Sequence, residues 1–216
     1  MQSIHDIPLV ILSIEKKSGI SCVYLSDETL LQIPSALCRA FRLKEGMRIS
    51  KDALLEKIRQ QSYPAACNRA ASLLSIRSRS VHEISSALER CGFDPETTEK
   101  TVEYFKALDY LNDETFTRNW IHMRSAKGIG ANRIRSELLQ KGIPRDVIQG
   151  ELESAKEPGS FTGSALEKCL TKAVRNRDLN DPNEKRKIIQ YAMRRGFSYQ
   201  EAKAGLDDIV NSRNTE

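Results

Sequence analysis

Ser80-Val81-His82-Glu83-Ile84-Ser85-Ser86-Ala87-Leu88-Glu89-Arg90-Cys91-Gly92-Phe93 is the stretch on which the fold turns. Ser80 and Glu83 have the spacing of a capping box, Ile84 and Leu88 share one helical face, and Gly92 is the residue type that ends a helix in the left-handed conformation. The arrangement returns twice. With Gly92, Gly142 and Gly196 set in register, Ile84, Ile134 and Ile188 stand eight positions earlier, and Leu88, Leu138 and Ala192 four earlier. Phe93, Ile143 and Phe197 follow one position later, Val102, Leu152 and Leu206 ten later, and Phe105, Ala155 and Ile209 thirteen later. Apolar columns at helical spacing around a constant glycine define a repeat of about 50 residues.

Helix-start signals divide each copy into three. Asp94-Pro95 and Ser198-x-x-Glu201 open the last helices of copies one and three, Asp181-Pro182-Asn183-Glu184 opens the middle helix of copy three, and Asn112-Asp113 opens the first helix of copy two. The first helices carry stripes of their own: Ala70, Leu73 and Leu74; Phe116, Trp120, Ile121 and Met123; Leu166, Cys169, Leu170 and Ala173. One copy is too small to bury a stable core alone, so the copies are expected to stack end to end. The expected segments are 63–111, 112–158 and 159–216, with Glu157-Pro158-Gly159-Ser160 as a joint.

Residues 1–62 read differently. Ile7–Ile14 and Ser21–Leu25 flank a turn at Glu15–Gly19, Thr29–Ile33 and Met47-Arg48-Ile49 are further short strands, and Pro34 opens a helix to about Phe41. A linker helix is expected from Ser50 or Lys51 to about Gln61, with Leu54, Leu55 and Ile58 on its stripe. The fold class is therefore mainly α: tandem three-helix repeats behind a small N-terminal α+β segment.

Composition excludes several functions. Of the 216 residues, 39% are hydrophobic and 29% charged, and no apolar run has the length of a spanning helix. Met1–Asp6 lacks a basic start, so a cytoplasmic, soluble protein is expected. The five cysteines show no C-x-x-C spacing and the three histidines stand far apart, so neither a disulfide framework nor a metal cluster is expected. No phosphate-binding loop occurs, and no catalytic constellation is apparent. The chain reads as a binding protein without cofactor, not an enzyme.

The net charge of +5 is spread unevenly, the last 58 residues carrying +3. Basic residues recur where first helices end: Arg77 and Arg79, Arg124 and Lys127, Arg175 and Arg177. Arg133 and Arg135, Lys185 and Arg186, and Arg194 and Arg195 thicken that character. Two readings stand side by side. Cations complement the negative end of a helix, and a row of cations also meets a repeating acidic or phosphate surface. Aromatic residues, 6% of the chain, are too few for a binder built on base stacking.

Several strings resemble the RecX regulatory proteins. Leu73-Leu74-Ser75-Ile76-Arg77-Ser78-Arg79-Ser80-x-x-Glu83-Ile84 is similar to their opening motif, and Tyr110-Leu111-Asn112-Asp113-x-x-Phe116 to their junction. Arg124-x-x-Lys127-Gly128-x-Gly130, continuing through Ile134, Glu137-Leu138 and Lys141-Gly142-Ile143, is similar to their core, and Arg194-Arg195-Gly196-Phe197-Ser198 to their ending. The resemblance covers residues 62–212. It departs at Ile84, where the family has leucine, and at Arg177-Asp178-Leu179-Asn180-Asp181-Pro182, a longer and more acidic turn. The resemblance implies an elongated, curved solenoid, a monomer. It would bind RecA, as monomer or as filament on single-stranded DNA, and dampen its ATPase, strand exchange and co-protease activity. With it go weak direct nucleic-acid binding and no membrane association. The alternatives are a tandem helix-turn-helix DNA-binding protein and a helical scaffold for another protein. The mixed, partly acidic starts of the middle helices argue against base readout.

Overall fold

The computed structural model describes residues 8–155 and 161–213, with the side chains of all but 161–163. The joint expected at residues 157–160 lies outside the described residues, as does His5. Two compact units divide at Leu111/Asn112.

The first unit opens with a four-stranded antiparallel sheet in the order β3-β2-β1-β4: β1 (Leu9–Lys17), β2 (Ile20–Leu25), β3 (Leu30–Pro34) and β4 (Arg48–Ile49). A two-residue turn at Ser18-Gly19 joins β1 to β2, with both residues at positive φ, so β1 runs further than the sequence suggests. Helix α1 (Ser35–Ala40) follows Pro34. Ile11, Val23, Leu25, Ile33 and Leu54 close the core beneath the sheet.

Helix α2 departs from expectation. It does not stop near Gln61 but runs 24 residues, Lys51–Leu74, through Pro64. Proline inside a helix removes one donor. The buried face explains why the helix continues: Leu54 and Ile58 pack on the sheet, while Ala66, Ala70 and Leu73 pack in the first repeat. Just before the proline, the buried Ser62 donates its hydroxyl to the Ile58 carbonyl (2.8 Å). Leu55, expected on the stripe, is exposed. The expected boundary at residues 62/63 thus falls inside one helix that belongs to two cores. Helices α3 (Val81–Glu89) and α4 (Pro95–Ala107) complete the first repeat. The capping box at Ser80 and Glu83 and the Asp94 cap are both formed.

The second unit holds α5 (Asp113–Ser125), α6 (Ala131–Gln140) and α7 (Arg145–Ser154), then α8 (Phe161–Val174), α9 (Pro182–Arg194) and α10 (Tyr199–Arg213). Four of the five columns around the repeat glycines are buried in every copy, and in the fifth only Phe105 is. Ile84, Ile134 and Ile188 are at most 1% exposed, and Leu88, Leu138 and Ala192 are fully buried. Ala155 and Ile209 are only partly covered, and Met123, expected on the α5 stripe, is exposed.

Copies two and three meet through backbone. Asp94, Asn112, Asp181 and Ser198 cap their helices with side chains, whereas α6 begins at Gly130 with none. Its start is capped instead by the turn that ends α9: Gly130 N–H donates to the Arg195 carbonyl (2.8 Å) and Asn132 N–H to the Gly196 carbonyl (3.1 Å). A Cβ on Gly130 would lie 2.5 Å from the Gly196 backbone, and one on Gly196 2.5 Å from the Arg133 Cβ. Gly196 is also at φ +96°, a region L side chains avoid.

Substitution of Gly196 by alanine should therefore destabilise the full chain by more than about 2 kcal/mol. Gly150→Ala should stabilise it by about 0.4–1 kcal/mol, because Gly150 is helical and has nothing within 4 Å of its missing Cβ. Denaturant unfolding of both variants measures the contrast, and equal effects would mean the two copies do not pack backbone to backbone.

Candidate polyanion-facing surface

The structure separates the twelve candidate cations into two groups. Seven of them, Arg77, Arg79, Arg124, Arg133, Arg135, Arg177 and Arg195, have partners within the chain. The other five, Lys127, Arg175, Lys185, Arg186 and Arg194, have no side-chain ion pair or hydrogen bond among the described residues, and only Lys185 is partly covered.

Of the cations expected where first helices end, only Arg124 lies within its helix's last turn; Arg77 and Arg79 follow the end of α2, and Arg175 and Arg177 follow α8. The pure helix-dipole reading accordingly weakens for these four. In the first repeat, Arg77 reaches both carboxylate oxygens of Glu83 at 3.0 Å, which raises the guanidinium pKa above its ordinary value. Glu83 is the third residue of α3 and also closes its capping box, so Arg77 ties the loop to the helix start. In the third repeat Arg177 pairs with Glu184 (2.8 Å), again the third residue of a middle helix. Arg79 donates to the Leu73 carbonyl (3.2 Å), and burial, together with the charge of Arg77, holds its pKa below the ordinary value.

Copy two has Arg133 at the helix position where its siblings have Glu83 and Glu184, so its acidic partner sits one turn later, at Glu137. Arg124 grips both Glu137 oxygens, one at 2.7 Å, while the Trp120 ring N–H donates to the same carboxylate at 3.1 Å and Arg133 at 3.4 Å. Trp120 stacks on Phe116 and carries Lys141 over its face at 4.3 Å. The ring is thus partly core and partly a platform for cations. Glu137 and Lys141 stand in the string that resembles the RecX core, with no site role expected of them; the local signal for one is Glu137 four residues after Arg133, a spacing that pairs charges on a helix.

Where copies two and three meet, Arg195 donates to the carbonyls of Gly128 (3.1 Å) and Lys127, and Arg133 approaches the Arg194 carbonyl (3.5 Å). The docking sets the Arg195 guanidinium on the Lys127 and Gly128 backbone and the Arg133 guanidinium near the Arg194 backbone, while Glu137 is held by Arg124 and Arg133. Arg195 itself works as a clasp between the copies. Among the described residues, no cluster of His, Cys, Asp and Glu could hold a metal, and no helix is long and apolar enough to cross a membrane.

Burial alone would raise the Glu137 carboxyl, but hydrogen bonds from Arg124 and Trp120 and the Arg124 charge outweigh it and hold the pKa below the usual glutamate value. A carboxyl depressed on folding stabilises the fold above its unfolded pKa, and that contribution is lost as pH falls through the folded value. Glu137→Gln should melt lower than the parent at neutral pH, with the gap closing as the pH falls below the ordinary glutamate range. Melting curves followed by Trp120 fluorescence test this; a gap independent of pH would show that the charge is not what holds the cluster.

Family models match the chain three times in order: the first three-helix domain of RecX at residues 66–105, the second at 112–152 and the third at 164–204. A protein of Prosthecochloris aestuarii named regulatory protein RecX is 33% identical over 68% of this chain and 95% of its own length. One of the same name from Yersinia enterocolitica is 30% identical over 81% of this chain and 97% of its own. A crystal structure of regulatory protein RecX superposes with a TM-score of 0.60 at 20% identity, covering 92% of this chain and 99% of the other. The structure of RecX from Lactobacillus salivarius gives 0.62 at 21%, covering 70% and 98%. These likenesses to solved structures agree in fold, and the relatives bear the name of a regulator, not of an enzyme. With three consecutive domains matched and a third of the aligned residues shared with a relative over two thirds of its length, the chain belongs to the RecX family of regulatory proteins.

Proposed function

We propose that this protein binds the RecA recombinase, as a monomer on the filament RecA forms on single-stranded DNA, and dampens its ATPase, strand exchange and co-protease activity. In that role it tunes recombination, DNA repair and the SOS response in the cytoplasm, by binding and without chemistry of its own. The observation that carries the reading is the succession of three RecX three-helix domains along the chain. The cations support it. A filament with a nucleic-acid core repeats its charge along its length, and a repeat protein offers cations at intervals to match.

The internal pairing sharpens the choice of contact residues. Lys127, Arg175, Lys185, Arg186 and Arg194 can each take an outside anion without giving up a bond in the chain. Arg77, Arg79, Arg124, Arg133, Arg135, Arg177 and Arg195 would share theirs. The contact surface is thus centred on the second unit's free cations, with weak direct contact to DNA phosphate.

The test measures RecA's DNA-dependent ATPase and co-pelleting of this protein with RecA–single-stranded DNA filaments across a salt series. The parent should slow ATP turnover and bind less tightly as salt rises. Replacing the five free cations by alanine should weaken binding and flatten its salt dependence with an unchanged melting temperature. Replacing Arg124 and Arg195 should instead lower the melting temperature. Normal RecA turnover at stoichiometric excess of the parent would overturn the function, and parent-like binding by the folded fivefold variant would overturn the surface.

A further inference from the structure

The matched family domains begin at residue 66, which leaves the N-terminal sheet without a role. Its edge is incomplete. Strand β1 pairs with β2 along its length, but on its other side β4 covers only Leu9 and Val10. Two further bonds, Ile11 N–H to the Met47 carbonyl and Gly46 N–H to the Ile11 carbonyl, end the pairing. A bulge follows between Ile11 and Ser13. Lys17 and Ile20 close the tight turn, so the alternation of an antiparallel ladder turns the backbone groups of Ile14 and Lys16 toward the uncovered side. There the Ile14 N–H meets a side chain, not a strand: it donates to the Glu45 carboxylate at 3.3 Å.

A groove of about 620 Å³ runs beside this edge. Ile14, Cys38 and Leu43 give it an apolar floor, and Lys16, Arg39, Arg42 and Lys44 line it as exposed cations. None of these four side chains has an ion-pair or hydrogen-bonding partner among the described residues. Glu45 is the one acid in the lining, and it is engaged on the strand edge. Arg42 stands at the left-handed residue that ends α1 (φ +53°), the place glycine usually takes, which sets an arginine on the groove where the chain turns.

We propose that this groove is a docking site for an extended acidic peptide segment of a partner protein, which adds a strand to the open edge of β1. Backbone groups of Ile14 and Lys16 supply the ladder, the apolar floor takes alternate side chains, and the four cations take the carboxylates. Glu45 already shows the chemistry, a carboxylate accepting from the edge. Single-stranded nucleic acid fits less well, because the lining holds no aromatic ring on which a base could stack. The site is separate from the cations of the three-helix repeats and stands or falls independently of them.

The experiment uses the full chain and a fluorescein-labelled peptide alternating glutamate and valine, read by fluorescence anisotropy. The parent should bind it and ignore a lysine–valine peptide. Arg39→Glu combined with Lys44→Glu should weaken binding about tenfold or more with an unchanged melting temperature. N-methylating alternate peptide bonds should abolish binding for one of the two possible phases and spare the other, as a strand with one bonded edge demands. Failure of the parent to bind, equal binding by the charge-reversed variant, or indifference to the phase of methylation would overturn the proposal. So would an oligothymidylate that displaces the peptide and loses affinity on the same charge reversal, since the groove would then be a nucleic-acid site. None of these outcomes depends on RecA, so the proposal can fail while the regulatory reading holds, and the reverse.

Discussion

Each repeat turns on a glycine held at positive φ between its middle and last helices: Gly92, Gly142 and Gly196. The turn stops one helix, aims the next, and delivers the following apolar residue (Phe93, Ile143 or Phe197) into the core. In two copies it also leaves the backbone bare enough for another piece of chain to press on it. At Gly196 the pressing piece is the start of α6; at Gly92 it is Ile20, whose side chain stands 3.0 Å from where a Cβ would be. The residue that ends a helix by its conformational freedom thus also allows a neighbour to dock by its lack of bulk.

The three-helix bodies were legible because every level of the chain agreed. Column periodicity, capping residues and the glycine all marked the same boundaries, and the structure places the caps at Ser80, Asp94, Asn112, Asp181 and Ser198 as the sequence reads them. What could not be read was decided by contacts distant in sequence. Pro64 looks like punctuation, yet two cores on either side of it hold the helix together. Gly130 looks like a weak helix start until carbonyls more than sixty residues away cap it. Leu55 and Met123 satisfied a local stripe but face solvent, because the packed face of each helix is narrower than its apolar residues span.

The candidate surface was less legible for the same reason. Charge recurrence picks out where cations stand and not whom they serve. Arg77 and Arg177 turned out to brace helix starts through Glu83 and Glu184, and Arg124 holds the carboxylate of Glu137 under a tryptophan. A guanidinium has donors to spare beyond one carboxylate, so bracing does not exclude outside contact. It does make the braced residues poor choices for separating folding from binding. Lys127, Arg175, Lys185, Arg186 and Arg194, without a side-chain ion pair or hydrogen bond among the described residues, are the cleaner levers.

Helix α2 has a consequence of phase. A helix turns about 100° per residue, and the 24 residues of α2 present Leu54 to the sheet and Ala66, Ala70 and Leu73 to the first repeat. Inserting or deleting one residue between Ile58 and Ala66 would rotate one apolar face about 100° away from the other, and α2 could then serve only one of its two cores. Seven residues added there would bring the faces back to within about 20°, merely lengthening the strut. Length variation along this lineage should therefore come in whole turns here and in any number of residues in the loops, a spacing rule imposed by the screw symmetry of a single helix.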